Sequence, residues 1–251
     1  MTELDSYRAI FRDLVALWAT APLPPQDEFS FQTRESRAGY IGVVIAWGWM
    51  VRTSRTGEAA LNLEQQGFSE EAAPLIRTML EHTIRLRWAV TSGPQFVEVL
   101  ARMRAKSFDL LTRSQFGGDL GADLVAQLEE AASSHDEAFR HLDVERQLLA
   151  IVKKDPESLG RLYQAWLVET QFCHPTMTSA EAYISSSDSG VTKLLRKPTD
   201  NVDRALHSSL ALLSAVDSYR VLAGLNESFE TRLNVLNGRW AALNFGEGQV
   251  E

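Results

Sequence analysis

The stretch EEAAPLIRTMLEHTIRLRWAVT, residues 70–91, decides the fold class. Leu75, Met79, His82 and Leu86 recur at steps of three and four, with Ile76, Leu80, Thr83 and Val90 beside them. That period predicts an α-helix with a broad core face. Arg77, Glu81, Arg85 and Trp88 fall on another side. Arg77–Glu81 and Glu81–Arg85 are both i,i+4 pairs of opposite charge, so an exposed ion ladder is expected, each pair contributing about 0.2–0.5 kcal/mol. Ser69 is placed to cap the helix, with Glu70 and Glu71 in its first turn. Pro74 lies past the positions where proline is free, which predicts a late start or a mild kink.

Helical spacing continues on both sides. Leu4, Tyr7, Phe11, Leu14 and Trp18 form one apolar stripe, ended by the prolines at 22, 24 and 25. Residues 34–56 are apolar nearly all round, predicting a helix through the centre of the bundle. A short helix over 58–66 should close at Gly67. Further helices are expected from Pro94 to about Arg113 and from Asp119 toward Val152. After Lys153-Lys-Asp-Pro another helix carries Leu159, Leu162, Trp166 and Leu167 and stops by His174, because Pro175 disfavours α geometry in the residue before it. Residues 176–199 lack helical period and read as a long loop. Two last helices follow, over 201–223 and 227–244, the second capped by Asn226. The fold class is therefore all-α. A single bundle of about eight helices is expected, with an N-terminal helix and Pro-rich linker over 1–30, a helical core over 31–245 and a tail over 246–251.

The chain has 251 residues, 45% of them hydrophobic and 23% charged, as in an ordinary globular protein. A net charge of −8 argues against generalised binding to nucleic acid or anionic membrane. From Arg77 to Arg113, however, seven basic residues face three acidic ones. Solvated faces with surface ion pairs explain such a run more readily than an anionic partner does. Cys173 is the one cysteine, and the N-terminus carries acids where a signal peptide needs basic charge, so a cytoplasmic location is expected. The most apolar run, residues 38–51, is shorter than the roughly 20 residues of a membrane span.

Neither a phosphate-cradling glycine loop nor a zinc or di-iron motif occurs, so no metal and no cofactor are expected. His135, Asp136, Glu137 and His141 lie close in sequence, but the two histidines are six apart and project from different helix faces. Cys173 and His174 are adjacent, a poor arrangement for a nucleophile and its base. Two histidines remain as candidates. His82 sits among apolar neighbours and belongs either to the core or to a site. His174 ends a helix and opens onto the 176–199 segment.

Two resemblances arise at these residues. Residues 71–88, with Arg77 and Glu81, resemble a family of uncharacterised bacterial all-helical proteins. In that family an R-x-x-x-E helix is followed much later by a tyrosine and an S-x-x-x-H-P segment. Here Tyr163 and Thr170 to Pro175 would supply the second part, with Thr170 in place of the serine. The resemblance spans about Arg34 to Tyr219 and implies that Arg77, Glu81 and His174 meet in one polar pocket between two helices. Arg77 to His82 is also similar to the R-x(4)-H motif of HEPN domains, many of them metal-independent ribonucleases. That similarity implies Arg77 on a phosphate, His82 in acid–base work and a homodimer. Thr78 follows the arginine where that motif has a polar residue such as Asn or Asp.

Two functions follow as expectations. One is HEPN-like cleavage of RNA, toxin- or defence-related, with Arg77, Glu81, His82 and His174 as candidate catalytic residues. The other is a non-catalytic module binding a small molecule or a protein, with a buried Arg–Glu–His network or a pocket lined by Trp47, Trp49 and Trp88.

Overall fold

The computed structural model describes residues 3–24, 34–113, 123, 126, 145, 147–186, 192–198 and 204–245. The helices are α1 (Glu3–Trp18), α2 (Arg34–Gln65), α3 (Ser69–Ser92), α4 (Gln95–Arg113), α5 (Leu148–Lys154), α6 (Pro156–Cys173), α7 (Met177–Glu181), α8 (Arg204–Ala223) and α9 (Glu227–Phe245). Strands β1 (Ile184–Ser186) and β2 (Thr192–Leu194) pair antiparallel between α7 and α8. The class is all-α, as the periodicity predicts.

The α1 stripe is buried at Tyr7, Phe11, Leu14 and Trp18, and only Leu4 at its start is exposed. Side-chain caps and a glycine hold several helix ends. Asp155 Oδ1 caps α6 by accepting from the Ser158 amide at 3.2 Å, and His174 is the residue just past its end. Asn226 Oδ1 accepts from the Phe229 amide at 3.0 Å and caps α9. Gly67 takes a positive φ of 83°, while the Phe68 amide reaches back to the Leu63 carbonyl at 2.9 Å, closing α2.

Four expectations are corrected. The helices over 34–56 and 58–66 are one continuous helix, α2. Gly57 inside it is a close approach rather than a break: a Cβ there would stand 2.5 Å from Phe11 Cζ and 2.7 Å from Met79 Cε. The central helix is α3, not α2. It packs against α2, α6 and α8, whereas the N-terminal half of α2 is only partly covered, with Val44 42% exposed. Residues 176–199 are not a bare loop, since they hold α7 and the β1–β2 hairpin; Thr176 starts α7 with a reciprocal capping box to Ser179. Finally, Ser69 is the first helical residue of α3 rather than its cap. Phe68 stands at the cap position without a side-chain hydrogen bond, and Pro74 is carried inside the helix.

The aromatic side chains mostly serve packing. Trp47 lies against Trp18 at 4.6 Å and Tyr219 at 5.8 Å, and Trp49 and Trp88 both contact Phe96 at 6.0 Å between ring centroids. These three tryptophans are part of, or packed on, the hydrophobic core. Among the described residues no helix is long and apolar enough to cross a membrane. His135, Asp136, Glu137, His141 and most of the helix expected over 119–152 lie outside the described residues.

Candidate functional site at the seam of α3 and α6

Helix α6 runs antiparallel to α3, with the C-terminal half of α6 beside the first turns of α3, and α8 closes the groove behind them. Four side chains from three helices, two carboxylates, a guanidinium and an imidazole, meet there. Arg204, 1% exposed, donates from Nη1 and Nη2 to the two oxygens of Glu70, at 3.2 Å each. Its Nε donates to Glu169 Oε2 at 3.3 Å, and its face covers the Phe172 ring at 4.9 Å. Glu169 is fully buried, and its second oxygen lies 2.6 Å from His207 Nδ1. The cluster ties α3, α6 and α8 together, and every buried charge in it faces an opposite or hydrogen-bonding group, as burial requires.

Two turns further along α3 lies Arg77. Its Nε donates to Thr170 Oγ1 at 3.1 Å, and its guanidinium carbon sits 5.2 Å from the centroid of the Trp166 ring. Thr170 in turn donates to the Trp166 carbonyl at 2.6 Å, and Tyr163 stacks on Trp166 at 5.5 Å with the rings 12° from parallel. The ion ladder is therefore only half formed. Glu81 pairs with Arg85 at 3.6 Å, and the first rung to Arg77 is replaced by the contact with α6. Arg85 and Trp88, expected on an open edge, are buried. Among the described residues Arg77 meets no carboxylate, which sets it apart from Arg85, Arg87, Arg204, Arg220 and Arg239, all of which do.

Cys173, half-buried, donates its thiol proton to the Glu169 carbonyl at 3.1 Å. Burial pushes this thiol up from its ordinary range, against the opposing pull of Arg77. It therefore stays neutral near pH 7 and does not offset the Arg77 charge. His174, one residue on, is exposed, and its carbonyl accepts from the Thr176 amide at 2.7 Å and from Ser179 Oγ at 2.8 Å. Past it, Tyr183 donates its hydroxyl to Glu71 Oε1 at 2.6 Å, which fastens the hairpin to the start of α3. That hydrogen bond, with burial second, raises the phenol to about 12.

His82 is on a different flank. Its Nδ1 lies 2.7 Å from the Thr78 carbonyl, which makes it the donor and leaves Nε2 as the acceptor. Burial is the main cause of its lowered pKa, with Arg52 of α2 adding to it and the Thr78 bond opposing. A histidine depressed in this way stabilises the fold fully above about pH 6.5, and the contribution is lost as pH falls below that. Five residues on a helix amount to about 140° of rotation, so Arg77 and His82 point to different neighbours.

Comparison with protein-family models, curated proteins and solved structures found no match.

Among the described residues no group of three His, Cys, Asp or Glu side chains is arranged to hold a metal ion. A hollow of about 400 Å³ beside the α8–α9 turn, lined by Thr20, Asn226 and Arg232 among others, does not include Arg77, His82 or His174. Of the sequence candidates, Arg77 is brought to Thr170, which stands at the first position of the T-x-x-x-H-P segment. Glu81 is turned to Arg85, and His82 to the Thr78 carbonyl. Sequence reasoning missed Glu70, Glu169, Arg204 and His207. The signal was present: Leu159, Leu162, Trp166 and Glu169 continue one apolar stripe at steps of three and four, which puts a carboxylate on the buried face of α6.

Proposed function

We propose that the chain is a non-catalytic binding module whose site is the seam of α3 and α6 at Arg77, and that it takes an anionic group of a small molecule or a protein. The observation that carries this function is an arginine held by Thr170 and Trp166 with no carboxylate opposite it among the described residues. Fixing a guanidinium in one geometry costs side-chain entropy, and partial burial weakens its hydration. An arriving anion therefore meets a guanidinium that is already ordered and less well hydrated, so binding costs little further entropy or desolvation at Arg77.

The test is thermal. An anion with a Kd on the order of 10 mM, supplied at 100 mM, stabilises the folded state by about 1.4 kcal/mol. For a chain of this size that raises Tm by about 3–6 °C. Acetate, formate or phosphate at 100 mM should therefore raise Tm relative to sodium chloride of equal ionic strength, and Arg77→Ala should abolish the difference. If none of the three raises the Tm of the wild-type chain more than that of Arg77→Ala, the seam is not an anion site.

One observation favours a second function, HEPN-like cleavage of RNA. His82 is neutral near pH 7 with Nε2 as its open acceptor, the state a general base needs. Because Arg77 and His82 diverge around α3, cleavage would require a second copy to set its own His82 against Arg77. Purified protein incubated with total RNA then gives defined fragments, and His82→Ala stops their formation. Intact RNA, or equal cleavage by His82→Ala, removes this function.

A further inference from the structure

Two arginines of the seam hold a similar posture against α6 and differ at the end of the guanidinium. Arg204 gives Nε to α6 residue Glu169 at 3.3 Å, rests its face on the α6 residue Phe172, and meets both oxygens of Glu70 with its two Nη groups. Arg77 gives Nε to α6 residue Thr170 at 3.1 Å and rests its face on the α6 residue Trp166. Its two Nη groups have no partner among the described residues. The Thr170 hydroxyl has already given its proton to the Trp166 carbonyl, so it accepts from Arg77 and offers nothing to a ligand. What remains unused is the end of the guanidinium, two parallel N–H bonds in one plane. The ring on which this guanidinium rests keeps its own Nε1 buried without a hydrogen-bond partner among the described residues.

We infer that the anion bound at Arg77 is a carboxylate, seated end-on with one oxygen on Nη1 and the other on Nη2, as Glu70 is seated on Arg204. This rests on the seam being the anion site proposed above. A planar group with two oxygens matches the fork of the guanidinium. Charge selects in the same direction. The site presents one positive charge, a neutral thiol and, further along the seam, the buried carboxylates of Glu70 and Glu169. A phosphate monoester, carrying about −1.5 to −2 near pH 7, would leave negative charge unmatched in a half-buried seam. The carboxylate belongs either to a free small molecule or to the C-terminus or acidic side chain of a protein, and the chemistry at Arg77 is the same for both.

The side-chain ¹⁵N resonances of Arg77 in the full chain report on this directly. They are followed at constant ionic strength during titration with sodium acetate, sodium phosphate, and tetraglycine with a free or an amidated C-terminus. Acetate and free tetraglycine should move the Arg77 signals to saturation, amidated tetraglycine should not, and phosphate should bind at least about tenfold more weakly than acetate. Arg77→Lys should weaken acetate at least about tenfold, because an ammonium cannot make two parallel bonds. Tighter binding of free tetraglycine than of acetate assigns the carboxylate to a protein terminus; equal binding assigns it to a small molecule. Phosphate binding as tightly as acetate overturns the carboxylate and leaves the anion site standing. Saturation by none of the probes overturns both.

Discussion

Arg204→Ala is expected to lower the stability of the chain by about 3–5 kcal/mol, because it strands two buried carboxylates. Glu70 would lose its bidentate partner and the fully buried Glu169 would keep only His207. In a thermal melt that loss corresponds to about 6–20 °C of Tm at this chain length. Glu169→Ala should fall in the same range, since it leaves a guanidinium that is 1% exposed with one carboxylate instead of two. The double variant should cost less than the two single losses added together, because each change removes the charge that the other leaves unpaired. Removing the whole cluster gives a further contrast. Replacing Arg204, Glu70 and Glu169 by apolar residues of similar volume is expected to leave stability near that of the wild type. Urea titration of these variants beside the wild type measures all of this. A loss under about 1 kcal/mol for Arg204→Ala would mean that these charges reach solvent, contrary to their burial.

The same cluster shows why the fold was legible in the sequence and the site only in part. A helix is announced by neighbours three and four residues apart, so α1, α6, α8 and α9 could be read from local spacing, and the start of α9 from its Asn226 cap. The interactions that join helices carry no such mark. Glu70 and Arg204 are separated by 134 residues, and Arg77 and Thr170 by 93. Glu70 also fits a local role, as an acid in the first turn of a helix, and that role concealed its burial. Arg77–Glu81 misled in the opposite sense. The spacing permits the pair, but Glu81 can face only one way, and Arg85 stands on its other side. Once Arg85 is buried against the bundle it claims Glu81, because a buried cation without a partner costs more than an exposed one. Arg77 is thereby released to α6. Gly57 and residues 176–199 mark a second limit. Glycine breaks a helix in isolation, but here Phe11 and Met79 press so closely on the helix that no side chain fits. A three-residue strand is too short to show alternation.

Trp88→Ala should have an effect of similar size to the loss of Arg204, for a different physical reason. Spacing from Arg77, Glu81 and Arg85 puts Trp88 on the open edge of α3, yet it is 2% exposed. Its ring meets Phe96 edge to face at 6.0 Å, and its Nε1 donates to Glu145 Oε2 at 2.6 Å. Glu145, itself buried, also accepts from Lys154. Removing the indole therefore combines a large cavity with the loss of a charge-assisted bond to a buried carboxylate, about 3–5 kcal/mol for the volume before the bond is considered. Trp88→Phe separates the two contributions. It fills much of the cavity and keeps a ring against Phe96, but it has no donor for Glu145, and about 1–3 kcal/mol is expected from a buried acceptor that loses one of its two partners among the described residues. Hydrogen exchange locates the effect. If Glu145 is held to the bundle through this bond, the amides of α5 should lose protection in both variants, because Lys154 at its end shares that carboxylate. Equal stability of wild type and Trp88→Phe, with α5 unchanged, would show that packing alone holds this side of α3.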